Sequence, residues 1–451
     1  MRTARDYFAT HVERFINEWK KFLSFKSISA DPAYHDDCVA CAAWLRSHLE
    51  QLGFNASVWP SETQPLVFAE RRGNPNKPTV LFYGHYDVQP VDPIDLWHSD
   101  PFEATVKDGR MFARGAQDNK GQLFYFIKAL EALFALGADL PTIKLLIEGE
   151  EESGSDAMRA GLSSWKEPLA ADILMVCDTG TVKLGTPTVT MGLRGMAHCE
   201  VRVYGPKADV HSGVFGGMIL NPLQALVKIL SSLHAADGAV AVPGFYDGVP
   251  PLTNEDRAMV SSAPINLEAL KDFVGVPFAG GERGYTALER RGVRPVLEIN
   301  GMGGGYQGAG SKTVIPAYAM AKLSMRLVRG QDPDKTLAAV VKHLHDVTPD
   351  GVRVEVVECA AVGPALQLST RSAVLETLKR AMLKEFNIEP AYLWEGASIP
   401  IIPLLAETSR AEPLLVGFGQ EDDNIHSPNE SFSLRQFEEG YRYVTAFLQE
   451  L

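Results

Sequence analysis

The chain has 451 residues, 45% of them apolar and 22% charged, the balance of a soluble globular protein too long for one ordinary core. A formal net charge of -13 argues against nucleic acid as a partner, since a polyanion is repelled by such a surface. No run of about 18 consecutive apolar residues occurs, so no membrane span is expected.

The N-terminal "MRTARDYFATHVERFINEWKKFL" reads as an amphipathic helix. It lacks the apolar segment and small-residue cleavage site of a secretion signal, and a cytoplasmic protein is expected. Cys38 and Cys41 form C-x-x-C inside a helical pattern with no strand feeding it. They read as core residues, and the five cysteines as free thiols. Further on, "PTVLFYGHYD", "TIKLLIEGE" and "ADILMVCD" read as buried strands, and "KGQLFYFIKALEALFALG" as a helix ended by Gly137. Near-continuous apolar strands separated by helices predict an α/β domain with a mainly parallel central sheet flanked by helices. From about Leu193 the order becomes β-α-β-β-α-β, with a Pro- and Gly-rich excursion over 238–284. That is the ferredoxin-like arrangement, and it predicts an inserted α+β domain. The strand "EPLLVGFG" and the helix "LRQFEEGYRYVTAFLQEL" return to α/β. The expected division is 1–193 with 374–451 as one discontinuous domain and 194–373 as the insertion.

Side chains able to bind metal gather at the strand ends, where ligands of such sheets collect. His85 ends one strand, with Asp87 two residues on and placed to fix the imidazole tautomer. Asp118 lies in a strand-to-helix loop, Glu152 in the run "EGEEESGS", Asp178 after "LMVC", and His426 after "LLVGFG". Two imidazoles and three carboxylates are too many for one tetrahedral ion with an open position. They suit two divalent ions, zinc first, with manganese or cobalt as alternatives, if one carboxylate bridges. Glu151 then stays off the metal as general base, and Glu150 is solvent-facing or structural.

Taken in order, "GHYDVQP", "SDPF", "RGAQDNKG", "EGEEESGS", "HSGVFGG", "TVIP", "MRLV", "EGASIP" and "HSPNE" cover nearly the whole chain. Together they resemble the co-catalytic zinc peptidases of the aminoacylase and carnosinase type, nearest the cytosolic non-specific dipeptidase and carnosinase branch. The resemblance implies a zinc-exopeptidase-like fold with a lid and dimerisation domain, and the hydrolysis of small peptides. It implies that Asp118 bridges, that His85 and Asp178 complete one metal position, and that Glu152 and His426 complete the other. It implies a cis Asp118-Asn119 bond. His211 would reach the partner subunit's site in a homodimer and stabilise the oxyanion. Arg326, with Thr313 and Ser398 nearby, would grip the substrate's carboxylate, leaving Arg329 at the same strand's end as a decoy. Gln117 is a departure at a position where relatives vary.

Other signals carry less. "GMGGGYQGAGSKT" lacks the strand and G-K-[ST] spacing of a phosphate loop, and His343 and His345 diverge on a helix. No G-x-S-x-G or H-E-x-x-H occurs. Alternatives to a metallo-dipeptidase are an amidohydrolase removing acyl, succinyl or carbamoyl groups from amino acids, and a non-catalytic relative. The retained Glu151 speaks against the latter.

Overall fold

The computed structural model describes residues 3–451. Two compact units emerge. The first gathers the chain up to Met191 with Leu368–Leu393 and Leu404–Leu451; the second is Gly192–Gln367 with Trp394–Pro403. The composition predicts the insertion at 194–373, and the short return of 394–403 to the second unit has no compositional mark.

In the first unit, Ile143–Glu148, Val80–His85, Ile173–Cys177 and Glu412–Val416 lie side by side in that order, all parallel. Their side chains are almost wholly buried, as expected of strands covered on both faces. The sheet as a whole is mixed, which narrows the expectation of a mainly parallel one. A hairpin of Asn55–Trp59 and Leu66–Arg71 adds to one side, and Thr188–Leu193 joins Glu412–Val416 on the other; all of these pairings are antiparallel. The hairpin is hard to read because its outer strand is half exposed. The helices Ala4–Leu23, Lys120–Ala135 and Leu434–Glu450 pack together. Cys38 and Cys41 are fully buried in the helix His35–Gln51. Among the described residues no helix is long and apolar enough to cross a membrane.

The second unit is built on a four-stranded antiparallel sheet, ordered Val296–Gly304, Tyr318–Leu327, Gly195–Tyr204, Arg353–Gly363. Helices Pro222–Ser231 and Pro333–Asp346 share one core with it. Leu226, Ile229, Val340 and Leu344 meet Val201, Val203, Ala321 and Leu323 there. Asn221 and Asp332 cap these helices with Pro at the first turn, the start signal visible in the sequence.

Candidate metal centre

The five proposed ligands converge at the carboxyl ends of the parallel strands. His85 is the last residue of its strand, and Asp178 directly follows Cys177. Asp118 precedes the helix Lys120–Ala135. A Cβ at Gly121 would lie 1.9 Å from the Ala116 carbonyl oxygen, so only glycine lets this helix start so close beneath the Asp118 loop. The Asp118-Asn119 peptide bond is cis.

Asp118 faces both ways. Its Oδ1 is 3.2 Å from His85 Nε2, which is 3.7 Å from Asp178 Oδ2. Its Oδ2 is 3.0 Å from His426 Nε2, which is 3.4 Å from Glu152 Oε2. The two triads, His85-Asp118-Asp178 and Asp118-Glu152-His426, each hold their ligand atoms within 4.8 Å of one another. Bonds of ~2.0–2.2 Å to a tetrahedral zinc put neighbouring donors ~3.3–3.6 Å apart, so this spacing fits an ion in each triad. Two orphaned atoms support the fit. His85 Nε2 and Glu152 Oε1 are buried without a hydrogen-bond partner. An unpaired buried polar atom is costly, and a cation would satisfy both.

Supporting groups hold this geometry. Asp87 Oδ1 is 3.2 Å from His85 Nδ1, which turns Nε2 toward the carboxylates. Asp87 also accepts from Ser29 Oγ and from the backbone N–H groups of Glu151 and Glu152, at 2.6, 3.2 and 3.1 Å. One buried aspartate thus orients the histidine and pins the glutamate turn. Glu150 is buried and accepts from the Ala157 N–H at the start of the helix Asp156–Gly161, the structural role of the two expected for it. Glu151 stands in the same turn and belongs to neither ligand triad.

Four supports escaped the sequence reading. Glu430, fully buried, accepts from the N–H groups of Gly115, Gln117 and Asp118 and from Arg114 Nη1. Asn119 donates to Asp178 Oδ1 at 2.6 Å, and Gln89 to Glu152 Oε2 at 2.7 Å. Glu148 lies fully buried at its strand's end, accepting from Tyr83 and Ser155. The last letter of "HSPNE", the glutamine of "GHYDVQP" and the asparagine of "DNK" were the available signals.

The electrostatics are those of a site with too much acid. Burial raises Glu151 and Asp178 well above the carboxylate range and raises Glu152, each pushed further by neighbouring carboxylates. Burial would lower His85, but Asp118, Asp178 and Asp87 outweigh it and hold the imidazole well above its usual value. Asp118 and Glu152 lift His426 to about 10. Glu151, Glu152 and Asp178 are thus shifted toward the protonated form, whereas His426 and His85 outweigh burial at Asp118 and hold it below its usual value. His426, half exposed, marks the open side.

A third acid–imidazole triad, Glu18-His48-Glu131, surrounds Lys128, whose Nζ bonds all three. A lysine ammonium already fills that space.

The remaining predicted residues lie in the second unit. His211 Nδ1 accepts from the Gly213 N–H at 2.9 Å, so the neutral ring carries its proton on Nε2, 3.4 Å from Thr313 Oγ1. Arg326 Nη1 donates to Ser398 Oγ at 2.9 Å, and Ser398 bonds the Arg194 carbonyl. Neither Arg326 nor Arg194 has an ion-pair partner among the described residues. Burial lowers both, and Arg194 is brought to about 10 with help from Arg326 and Arg291. Two desolvated guanidiniums invite an anion. Arg194 also escaped the sequence reading; "GLRG" carries no distinctive signal.

Two triads sharing one carboxylate at the rim of an α/β sheet make the donor set of a dinuclear metal-dependent hydrolase. The chain belongs to the Peptidase family M20/M25/M40, whose signature matches residues 81–450. It is 32% identical to the Cys-Gly metallodipeptidase of Schizosaccharomyces pombe, over 97% of this chain and 96% of that one. The solved structure of human carnosine dipeptidase 1 superposes with a TM-score of 0.79 at 30% identity, covering 99% of this chain and 98% of that one. An M20-family metallo-carboxypeptidase from Sulfolobus solfataricus gives 0.84 at 31%, covering 96% and 98%.

Proposed function

We propose that this protein is a metallo-dipeptidase of the kind its relatives' names describe, hydrolysing free dipeptides at a two-metal centre. The observation that carries the reading is Asp118, with one carboxylate oxygen in each of two ligand triads. His85 and Asp178 complete one position and Glu152 and His426 the other. Two divalent ions, zinc before manganese or cobalt, polarise the scissile carbonyl and make water nucleophilic at neutral pH when bound. The protein's own groups do the rest. Glu151 takes a proton from the attacking water and passes it to the leaving amine. Its backbone N–H is held by Asp87, which keeps the base in register with the His85 ligand set. Arg326, with Ser398 and Thr313, holds the substrate's carboxylate, and the unpaired Arg194 adds to the field. His211, protonated on Nε2, donates to the developing oxyanion.

The second unit is read as a ferredoxin-like lid whose partner copy supplies His211 in a homodimer. Its strand order supports the first part, and the exposure of His211, whose Nε2 meets only Thr313 at 3.4 Å in its own unit, supports the second. A cytoplasmic location fits the five free thiols.

Metal analysis with a substrate panel tests the reading. Two equivalents of zinc or manganese and turnover of free dipeptides are expected. Turnover of N-acyl amino acids without dipeptides would favour the amidohydrolase alternative, and tripeptide cleavage from the C-terminus a carboxypeptidase. An inert protein with full metal would favour a binding relative. Mixing His211→Ala with Glu151→Ala chains should restore part of the activity if His211 acts in trans; no recovery after proven subunit exchange removes that element.

A further inference from the structure

A cavity of about 190 Å³ lies in the second unit, lined by none of the residues assigned above to metal or substrate. Leu193, Val260 and Val328 form part of an apolar wall. Trp394 closes another side. The residue is only 6% exposed, and its indole Nε1–H is buried with no partner. Such a donor calls for an acceptor that the polypeptide does not provide. Two charged groups also line the space. Arg329 has no ion pair among the described residues. Asp256 commits Oδ2 to capping Thr253, at 2.9 Å from its N–H and 2.7 Å from its Oγ1, and has Oδ1 to spare.

The cavity therefore has a guanidinium and a carboxylate among its lining groups, an apolar surface, and the Trp394 side chain in its wall. It is smaller than the ~300–1,000 Å³ of sites that take drug-sized molecules, which excludes a peptide chain. We propose that it binds a free α-amino acid with an apolar side chain. The ligand carboxylate meets Arg329, the ammonium meets Asp256, and the side chain lies on the apolar wall beside Trp394. Arg329, set aside as the decoy of the substrate arginine, acquires a role of its own. Under the dipeptidase reading such amino acids are reaction products, so the site would sense product; that link rests on the reading, whereas binding does not.

The test is equilibrium dialysis of labelled L-leucine against the full-length, metal-loaded protein. Substrate-site binding is separated by variants. Arg329→Ala should weaken leucine binding about tenfold or more, and Trp394→Phe by a smaller factor, while Arg326→Ala leaves this site intact. Leucinamide, lacking the carboxylate, and glycine, lacking the side chain, should bind at least about tenfold more weakly than leucine. Arg329 is exposed, so its substitution does not threaten folding, and dipeptide turnover at low product should be unchanged. Leucine binding that survives Arg329→Ala and vanishes with Arg326→Ala would place the ligand in the substrate site and overturn the proposal. So would the absence of saturable binding up to millimolar leucine, an outcome that leaves the dipeptide panel untouched.

Discussion

The first unit builds acid–imidazole clusters of two kinds from the same side chains. Around Lys128, Glu18 and Glu131 accept from the ammonium, and His48 Nε2 lies 2.9 Å away. Arg14 bonds both glutamates, and the rings of Phe15 and Phe124 stand 5.3 and 4.7 Å from Nζ. Two cations match two anions. At the sheet rim, Asp118, Glu152, Asp178 and Glu151 have only imidazoles to answer them, and two polar atoms are left over. The lesson is that residue type does not make a metal centre. What separates the clusters is whether the chain supplies its own cation.

That contrast can be attacked from both sides. The largest effect should follow Asp118→Ala, which takes a ligand from both triads at once. Bound metal should drop below one equivalent by elemental analysis and hydrolysis should fall to background; a variant retaining both ions would break the shared-carboxylate geometry. Glu151→Gln comes next. Turnover should fall ~10²–10⁴-fold, the usual weight of a general base, with two equivalents of metal still bound. Metal loss in that variant would make Glu151 a ligand instead.

On the other side, Lys128→Met leaves the buried Glu131 and the part-exposed Glu18 to Arg14 alone and should cost about 3 kcal/mol in urea unfolding. Metal content should not change. If chelation and Lys128→Met perturb the same transition in the same way, the two clusters are not the opposites described here. The smallest effect concerns pH. Burial and Lys128 bring His48 down to about 4 from its usual 6.5, so the folded protein keeps it neutral. Above pH 6.5 both folded and unfolded chains have it neutral, and its contribution is complete. As pH falls from 6.5 to about 4 the unfolded chain takes the proton first, and stability drops by ~2 kcal/mol. Unfolding free energies measured from pH 7 to 4 should show this loss in the parent protein and not in His48→Gln.

The strand ends explain why the candidate ligands were legible. An apolar run stopped by Asp or His, as at Cys177-Asp178 or Gly84-His85, is visible in one dimension, because burial and chemistry change at the same residue. The layer behind them was not. Glu430 lies more than three hundred positions from the Asp118 loop it holds, and nothing local marks that meeting. The Lys128 cluster draws on three helices with no shared motif. The mixed character of the sheet was hidden for a different reason: strand direction follows from connections, and the half-exposed Asn55–Trp59 gives a weak alternating signal. Arg194 and Arg329 show the same limit, since an arginine's role depends on which acids lie near it in space.

Glu430 also has a consequence for synthesis. Three amides of the Asp118 loop find their acceptor, and the outer triad its imidazole, only when the chain has been made past residue 430. A nascent polypeptide still short of that point has no complete scissors, whatever ions surround the ribosome. The catalytic rim is finished only after residue 430 has been translated, so hydrolysis cannot begin before that point is passed.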